Sequence, residues 1–150
     1  MTEKNYDIVV VGGGHAGVEA AIISSYLGAS VCLVTMDTGA IARMSCNPAI
    51  GGLAKGQIVR EIDVLGGVMA KAADKSGLQF KTLNKSKGRA VWSPRAQIDK
   101  RAYEKTIFKE ITNSNVSIIQ GEVVSVKIKN YKTKGVVLRS GEKIKCRCSV

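Results

Sequence analysis

Apolar residues are not spread evenly along the chain, and their spacing changes character at identifiable points. The run DIVVV, within a strand predicted over Asp7–Gly12, is continuously apolar, as a strand buried on both faces requires. A helix is expected next, with Ala16, Ala20, Ile23 and Leu27 on one face and Gly28 as its stop. SVCLVT, residues 30–35, reads as the second strand, so the opening is a βαβ unit. Residues 37–52 read as a long loop and 53–65 as a helix whose inward face is Ile58, Ile62 and Leu65, ended by Gly66-Gly67. Residues 75–92 show little periodicity. Ser93-Pro94 supplies a cap and a first-turn proline for a helix to about Thr112, with Ile98, Ala102 and Ile111 inward. VSIIQGEVVSVKIKN is rich in strand formers, and KGVVLRSGEKIKCRCSV alternates as two strands around Ser140-Gly141 with one wet face. The expected fold is α/β and Rossmann-like, with a β-hairpin excursion near the C-terminal end. The last residues read as strand, so the chain is expected to be a fragment that lacks the later strands of this sheet.

Composition narrows the class. An apolar fraction of 45% in 150 residues supports one ordinary core. No apolar run reaches the roughly 18 residues of a membrane span, which sets the expectation of a cytoplasmic protein without membrane contact. The four cysteines, Cys32, Cys46, Cys146 and Cys148, form no pair of CxxC knuckles, so reduced thiols and no metal site are expected. The net charge of +11 is local rather than general. Residues 75–98 hold six cations and no acid, and residues 125–150 hold eight cations against Glu142. Such concentrations suit a polyanionic partner.

The glycines give the sharpest chemistry. Gly12-x-Gly14-x-x-Gly17 lies between a predicted strand and a predicted helix, the context in which this spacing serves a dinucleotide. The first glycine permits the tight turn, the second lets backbone approach a diphosphate, and the third lets helix and strand pack closely. The helix N-terminus adds free N–H groups and a positive dipole end. A carboxylate is expected at the end of the second strand to hold a ribose hydroxyl, but Thr35 stands there, with Asp37 two residues on. That position therefore leaves FAD and NAD undecided.

Three longer segments, GGGHAGVEAA, MSCNPAIGGLAKGQIVREIDVLGG and KSKGRAVWSPRAQIDK, are more specific. Together they resemble the N-terminal part of the MnmG/GidA family, the tRNA uridine 5-carboxymethylaminomethyl modification enzymes. The resemblance implies FAD, with Gly12, Gly13, Gly14, His15, Ala16 and Gly17 at its pyrophosphate, Thr35 in place of the usual acid, and Val123 offering a main-chain contact to the adenine. It implies NADH and methylene-tetrahydrofolate as co-substrates, tRNA as substrate, a GTPase partner subunit and a homodimer in the full-length enzyme. The implied product carries a carboxymethylaminomethyl or aminomethyl group at C5 of the wobble uridine, and the implied fold is the glutathione-reductase type of FAD/NAD(P)-binding domain, of which residues 1–150 are expected to be the N-terminal part. Cys46, in a Gly- and Pro-rich loop after the second strand, is the candidate catalytic thiol. Lys85, Lys87, Arg89 and Arg95, interleaved with Phe80 and Trp92, are the candidate RNA contacts. The alternatives are a folate- and FAD-dependent tRNA uridine C5-methyltransferase, a noncatalytic FAD-containing RNA-binding module, and an NADH-linked disulfide reductase. A lone Cys46 without a CxxC partner counts against the last.

Overall fold

A computed structural model describes residues 5–150. Its chain forms two units, Met1–Ala42 with Glu110–Val150, and Arg43–Lys109.

The first unit is built on a six-stranded sheet. Strands β1 (Asn5–Val11), β2 (Val31–Thr35), β6 (Val116–Gln120) and β9 (Lys143–Ser149) run parallel, while β7 (Val123–Lys129) and β8 (Lys132–Leu138) are antiparallel, giving the order β6-β2-β1-β9-β8-β7. All five residues of β2 are buried, which explains the unbroken apolar run. Val9, Cys32, Val34, Val136, Leu138, Ile144 and Cys146 form its core cluster. In β9 the alternation is visible directly: Ile144 and Cys146 are buried while Lys143, Lys145 and Arg147 face water. The hairpin expected around Ser140-Gly141 joins β8 to β9. A second hairpin joins β7 to β8 through Asn130 and Tyr131, both at positive φ (51° and 58°), the two-residue turn that matches strand twist.

Helix α1 (His15–Tyr26) links β1 to β2 and ends as expected, with Gly28 at φ 88° and the N–H of Ala29 donating to the carbonyl of Ser24 at 3.1 Å. Its buried face is a correction to the sequence reading. Val18, Ala21, Ile22 and Ser25 face inward, whereas Leu27 is 81% exposed and Ala16 is exposed. Nearly every position of this helix is small or apolar, so spacing alone cannot choose a face.

The second unit differs more from expectation. The loop expected over residues 37–52 holds a short 3-10 turn at Thr38–Ala40, which still belongs to the first unit, and strand β3 (Ala49–Gly51) of the second. Helix α2 (Lys55–Val64) buries Gly56 and Val59, while Ile58 and Leu65, expected inward, are 53% and 76% exposed. Gly66 and Gly67 terminate it as read, with Gly67 N–H donating to the Ile62 carbonyl at 2.9 Å. Helix α3 (Met69–Ser76) and strand β4 (Gly77–Leu83) occupy a stretch that reads as aperiodic. The helix expected to open at Ser93-Pro94 is instead strand β5 (Ser93–Ile98), central in the antiparallel order β3-β5-β4. The Ser93 hydroxyl bonds the Gly52 carbonyl rather than capping a helix. Asp99 is the cap: its Oδ1 accepts from the N–H groups of Arg101 (2.9 Å) and Ala102 (3.1 Å) and opens α4 (Lys100–Asn113). Tyr103, Ile107 and Ile111 are then the inward positions of α4. No helix among the described residues is long and apolar enough to cross a membrane.

Asp7 ties three neighbouring strands. Its Oδ2 accepts from the Ser30 N–H (3.0 Å) and hydroxyl (2.8 Å) ahead of β2, and its Oδ1 accepts from Arg147 of β9 at 3.2 Å. These hydrogen bonds, Ser30 first and then Arg147, hold the carboxyl below its ordinary range. A folded pKa below the unfolded one adds stability above the unfolded value that is lost as pH falls through the folded value. Asp7→Asn should therefore lower the melting temperature by a few degrees near pH 7, with the difference closing below about pH 4, the ordinary carboxylate range. Thermal melts followed by circular dichroism across pH 3–7 check this; a constant difference would remove Asp7 from the acid sensitivity.

Candidate functional site: a glycine turn at the strand ends

Strand β1 delivers the chain to Gly12 at the carboxyl end of the parallel sheet, where ligands of such sheets bind. Gly12 has φ 108°, a conformation that side chains rarely adopt, and its N–H donates to the Val34 carbonyl of β2 at 2.8 Å. Gly13 is buried beneath Thr35 and Ile41; an added Cβ would stand 2.9 Å from Thr35 Oγ1 and 3.2 Å from Ile41 Cγ1. Gly14 is extended (φ −72°, ψ 179°) and forms the N-cap of α1 without any side-chain cap. A Cβ on Gly17 would overlap the Gly12 carbonyl oxygen, so only glycine lets the first turn of α1 lie on the end of β1. Added Cβ atoms on Gly12 and Gly14 would meet nothing within 4 Å. The turn thus has one side pressed against protein, through Gly13 and Gly17, and one side open, at Gly12 and Gly14.

His15 opens α1, half-buried, with its Nε2 shielded from solvent, and Ala16 is exposed beside it. Thr35 ends β2 at 8% exposure; its hydroxyl donates to the Asp37 carbonyl at 3.3 Å and its carbonyl accepts from the Gly121 N–H at 2.8 Å. Asp37 Oδ1 in turn accepts from the Gly39 N–H at 2.8 Å. Val123 begins β7, half-buried against the core cluster. Just before it, Glu122 makes a two-pronged pair with Arg139, the residue after β8, at 2.5 and 2.7 Å, which lowers the Glu122 carboxyl and raises the guanidinium. The ends of β1, β2 and β6 therefore bring Gly12–Gly17, Thr35 and the 121–123 corner to one edge of the first unit.

The remaining candidates lie in the unit Arg43–Lys109. Cys46 is exposed; its carbonyl accepts from Lys100 Nζ at 2.9 Å and its Sγ is 3.8 Å from the Ser45 hydroxyl. Lys85 and Lys87 share one 3-10 turn and Arg89 begins another, all three exposed. The loop closes on itself: Trp92 Nε1 donates to the Lys85 carbonyl at 3.2 Å, Asn84 Nδ2 to the Val91 carbonyl at 3.4 Å, and the Arg89 guanidinium sits 5.8 Å from the Trp92 ring centre. Arg95 is half-buried on β5 directly opposite Lys81 of β4, a neighbour that only the strand register reveals. A cavity of about 630 Å³ borders this sheet and α2 and α3, with Ile50, Val59, Ala73 and Ala96 among its apolar lining and Arg60 and Asp63 among its charged lining. Cys32 and Cys146 are buried, and burial pushes the Cys146 thiol up.

Residues 7–150 match the family model described as glucose inhibited division protein A. The chain is 51% identical over 148 residues to the tRNA uridine 5-carboxymethylaminomethyl modification enzyme MnmG of Sulfurihydrogenibium sp. (strain YO3AOP1), covering 97% of this chain and 24% of that one. The enzyme of the same name from Chlorobium phaeobacteroides is 52% identical over 141 residues, covering 93% and 23%. Among solved structures, Aquifex aeolicus GidA superposes with a TM-score of 0.93 at 48% identity, over 97% of this chain and 24% of that chain. The chain thus spans about a quarter of the length of the relatives it matches. With that coverage and identity, the chain belongs to the glucose-inhibited division protein A family.

Proposed function

We propose that the chain is the FAD-binding, N-terminal part of a tRNA-modifying flavoenzyme. In this reading the full-length protein, with a GTPase partner subunit, adds a carboxymethylaminomethyl or aminomethyl group at C5 of the wobble uridine. Methylene-tetrahydrofolate is its one-carbon donor and NADH its reductant, and it works as a cytoplasmic homodimer. The tRNA half rests on the names of relatives half identical to this chain, and the cofactor half on the two-sided glycine turn.

The turn fits a dinucleotide diphosphate. An added Cβ at Gly12 or Gly14 would meet nothing within 4 Å among the described residues, and Gly14 brings no capping side chain to the first N–H groups of α1. No acid lies in that first turn to compete for the positive end of the helix. Gly12, Gly13, Gly14, His15, Ala16 and Gly17 would hold the diphosphate, Thr35 the ribose end and the Val123 main chain the adenine. Bound FAD supplies two-electron chemistry, while the chain orients it. Cys46 is the exposed thiol offered to the uridine chemistry, on a loop held by Lys100. Lys85, Lys87, Arg89 and Arg95 contact tRNA phosphates in the same reading.

Gly14→Val in the full-length protein should abolish FAD retention, because a branched side chain enters the space left for the diphosphate. Flavin absorbance of the purified variant measures this, and a normal flavin content would overturn the assignment. Cys46→Ser should keep FAD bound and tRNA affinity near normal while lowering formation of the modified uridine at least about tenfold, equivalent to about 1.4 kcal/mol of barrier. Nucleoside mass spectrometry reads the product; formation within about twofold of the unaltered protein would assign Cys46 to loop packing.

A further inference from the structure

The three-stranded sheet of the unit Arg43–Lys109 has two unlike faces. Residues directly opposite one another across strands share a face. One row across the sheet is Gly51, Arg95 and Lys81, and the next row on that face is Ala49, Gln97 and Gln79. Between them, on the opposite face, lies the apolar row Ile50, Ala96 and Phe80. Two cations are therefore held side by side on the first face, with two amides beside them.

Like charges directly opposite destabilise a sheet. At a cross-strand spacing of roughly 5 Å their repulsion is inside the screening length of about 8 Å at physiological salt. Residues 75–98 contain no acid, and neither Lys81 nor Arg95 has a side-chain hydrogen bond or ion pair among the described residues, although Asp63 and Asp74 line the same cavity as both cations. On its other side Arg95 faces Gly51, at φ 97°, where an added Cβ would overlap the Pro94 carbonyl oxygen. No side chain can stand there. The register thus keeps two cations adjacent, with the backbone of Gly51 rather than a side chain on the other side of Arg95.

We propose that the row Gly51–Arg95–Lys81 is a seat for a phosphate group, held by the guanidinium fork of Arg95 and the ammonium of Lys81, with the Gln79 and Gln97 amides as further donors. A phosphate carries the charge that neutralises both cations and the oxygens that a fork can engage in pairs. The inference rests on the tRNA reading only for the phosphate's source, a backbone phosphodiester of RNA; a nucleotide's terminal phosphate offers the same chemistry.

Thermal melts of the chain in inorganic phosphate against chloride at matched ionic strength test the seat. Phosphate should raise the melting temperature of the unaltered chain and of Lys81→Arg. Lys81→Thr should melt higher than the unaltered chain in low-salt chloride, because the repulsion is gone, and should lose the phosphate-dependent rise. No rise in the unaltered chain, or a full rise in Lys81→Thr, would overturn the proposal. The source is read by titrating a short RNA with a 5′-hydroxyl, which has only internal phosphodiesters, and a nucleoside 5′-monophosphate. If RNA is the source, Lys81→Thr weakens oligonucleotide binding and reduces its salt slope by about one. If only the monophosphate senses the substitution, the seat stands and the tRNA reading falls.

Discussion

The contact between the first turn of α1 and the end of β1 is the constraint on which the rest of the first unit depends. A Cβ on Gly17 would occupy the position of the Gly12 carbonyl oxygen, so the helix lies on the strand only because residue 17 is glycine. That contact fixes the rotation of α1 about its axis, and with it the burial of Val18, Ala21 and Ile22. The same contact swings the helix N-terminus over the carboxyl end of the sheet, where Gly12 and Gly14 leave room. The packing of α1 and the free side of the turn are thereby one geometric decision. Thr35 completes it from below by filling the space under Gly13.

The two units solve different problems. Unbroken burial of β2, with β1 and β6 on either side, makes the first a rigid platform whose strand ends are placed by backbone ladders. Asp7, Ser30 and Arg147 lock the opposite ends of β2, β1 and β9. The second unit has shorter strands and more exposed charge, and its register sets Arg95 directly opposite Lys81. Departures of this kind from local consistency are where function is expected to concentrate.

Much of the first unit was legible in the sequence because its signals are redundant. DIVVV and SVCLVT could hardly be anything but buried strands, and Gly28 and Gly66-Gly67 stop helices by taking conformations that other residues avoid. The glycine spacing also gave the strand-turn-helix order correctly, although its ligand stays a proposal. The face of α1 was not legible, since a helix apolar almost all round carries no directional pattern, and a backbone contact rather than amphipathicity settles it. In the second unit Ser93-Pro94 satisfies the rules for a helix start, yet Asp99 caps better and leaves 93–98 free to pair with β3 and β4. Strand β4 alternates Leu78, Phe80 and Thr82 with Gln79 and Lys81, but a strand whose residues are nearly all exposed has no buried face to announce it. The pairing of Lys81 with Arg95 depends on register, which no single segment encodes.

In the proposed reading the turn from Gly12 to Gly17 takes the diphosphate of a dinucleotide. The most direct measurement is a flavin-fluorescence titration of the cofactor-stripped full-length protein with FAD and, separately, with FMN, which has a single phosphate and no adenosine. FAD should bind at least about a hundredfold tighter than FMN, a difference of about 2.7 kcal/mol, with ADP competing against FAD. Equal affinity for the two flavins, or no competition by ADP, would contradict it.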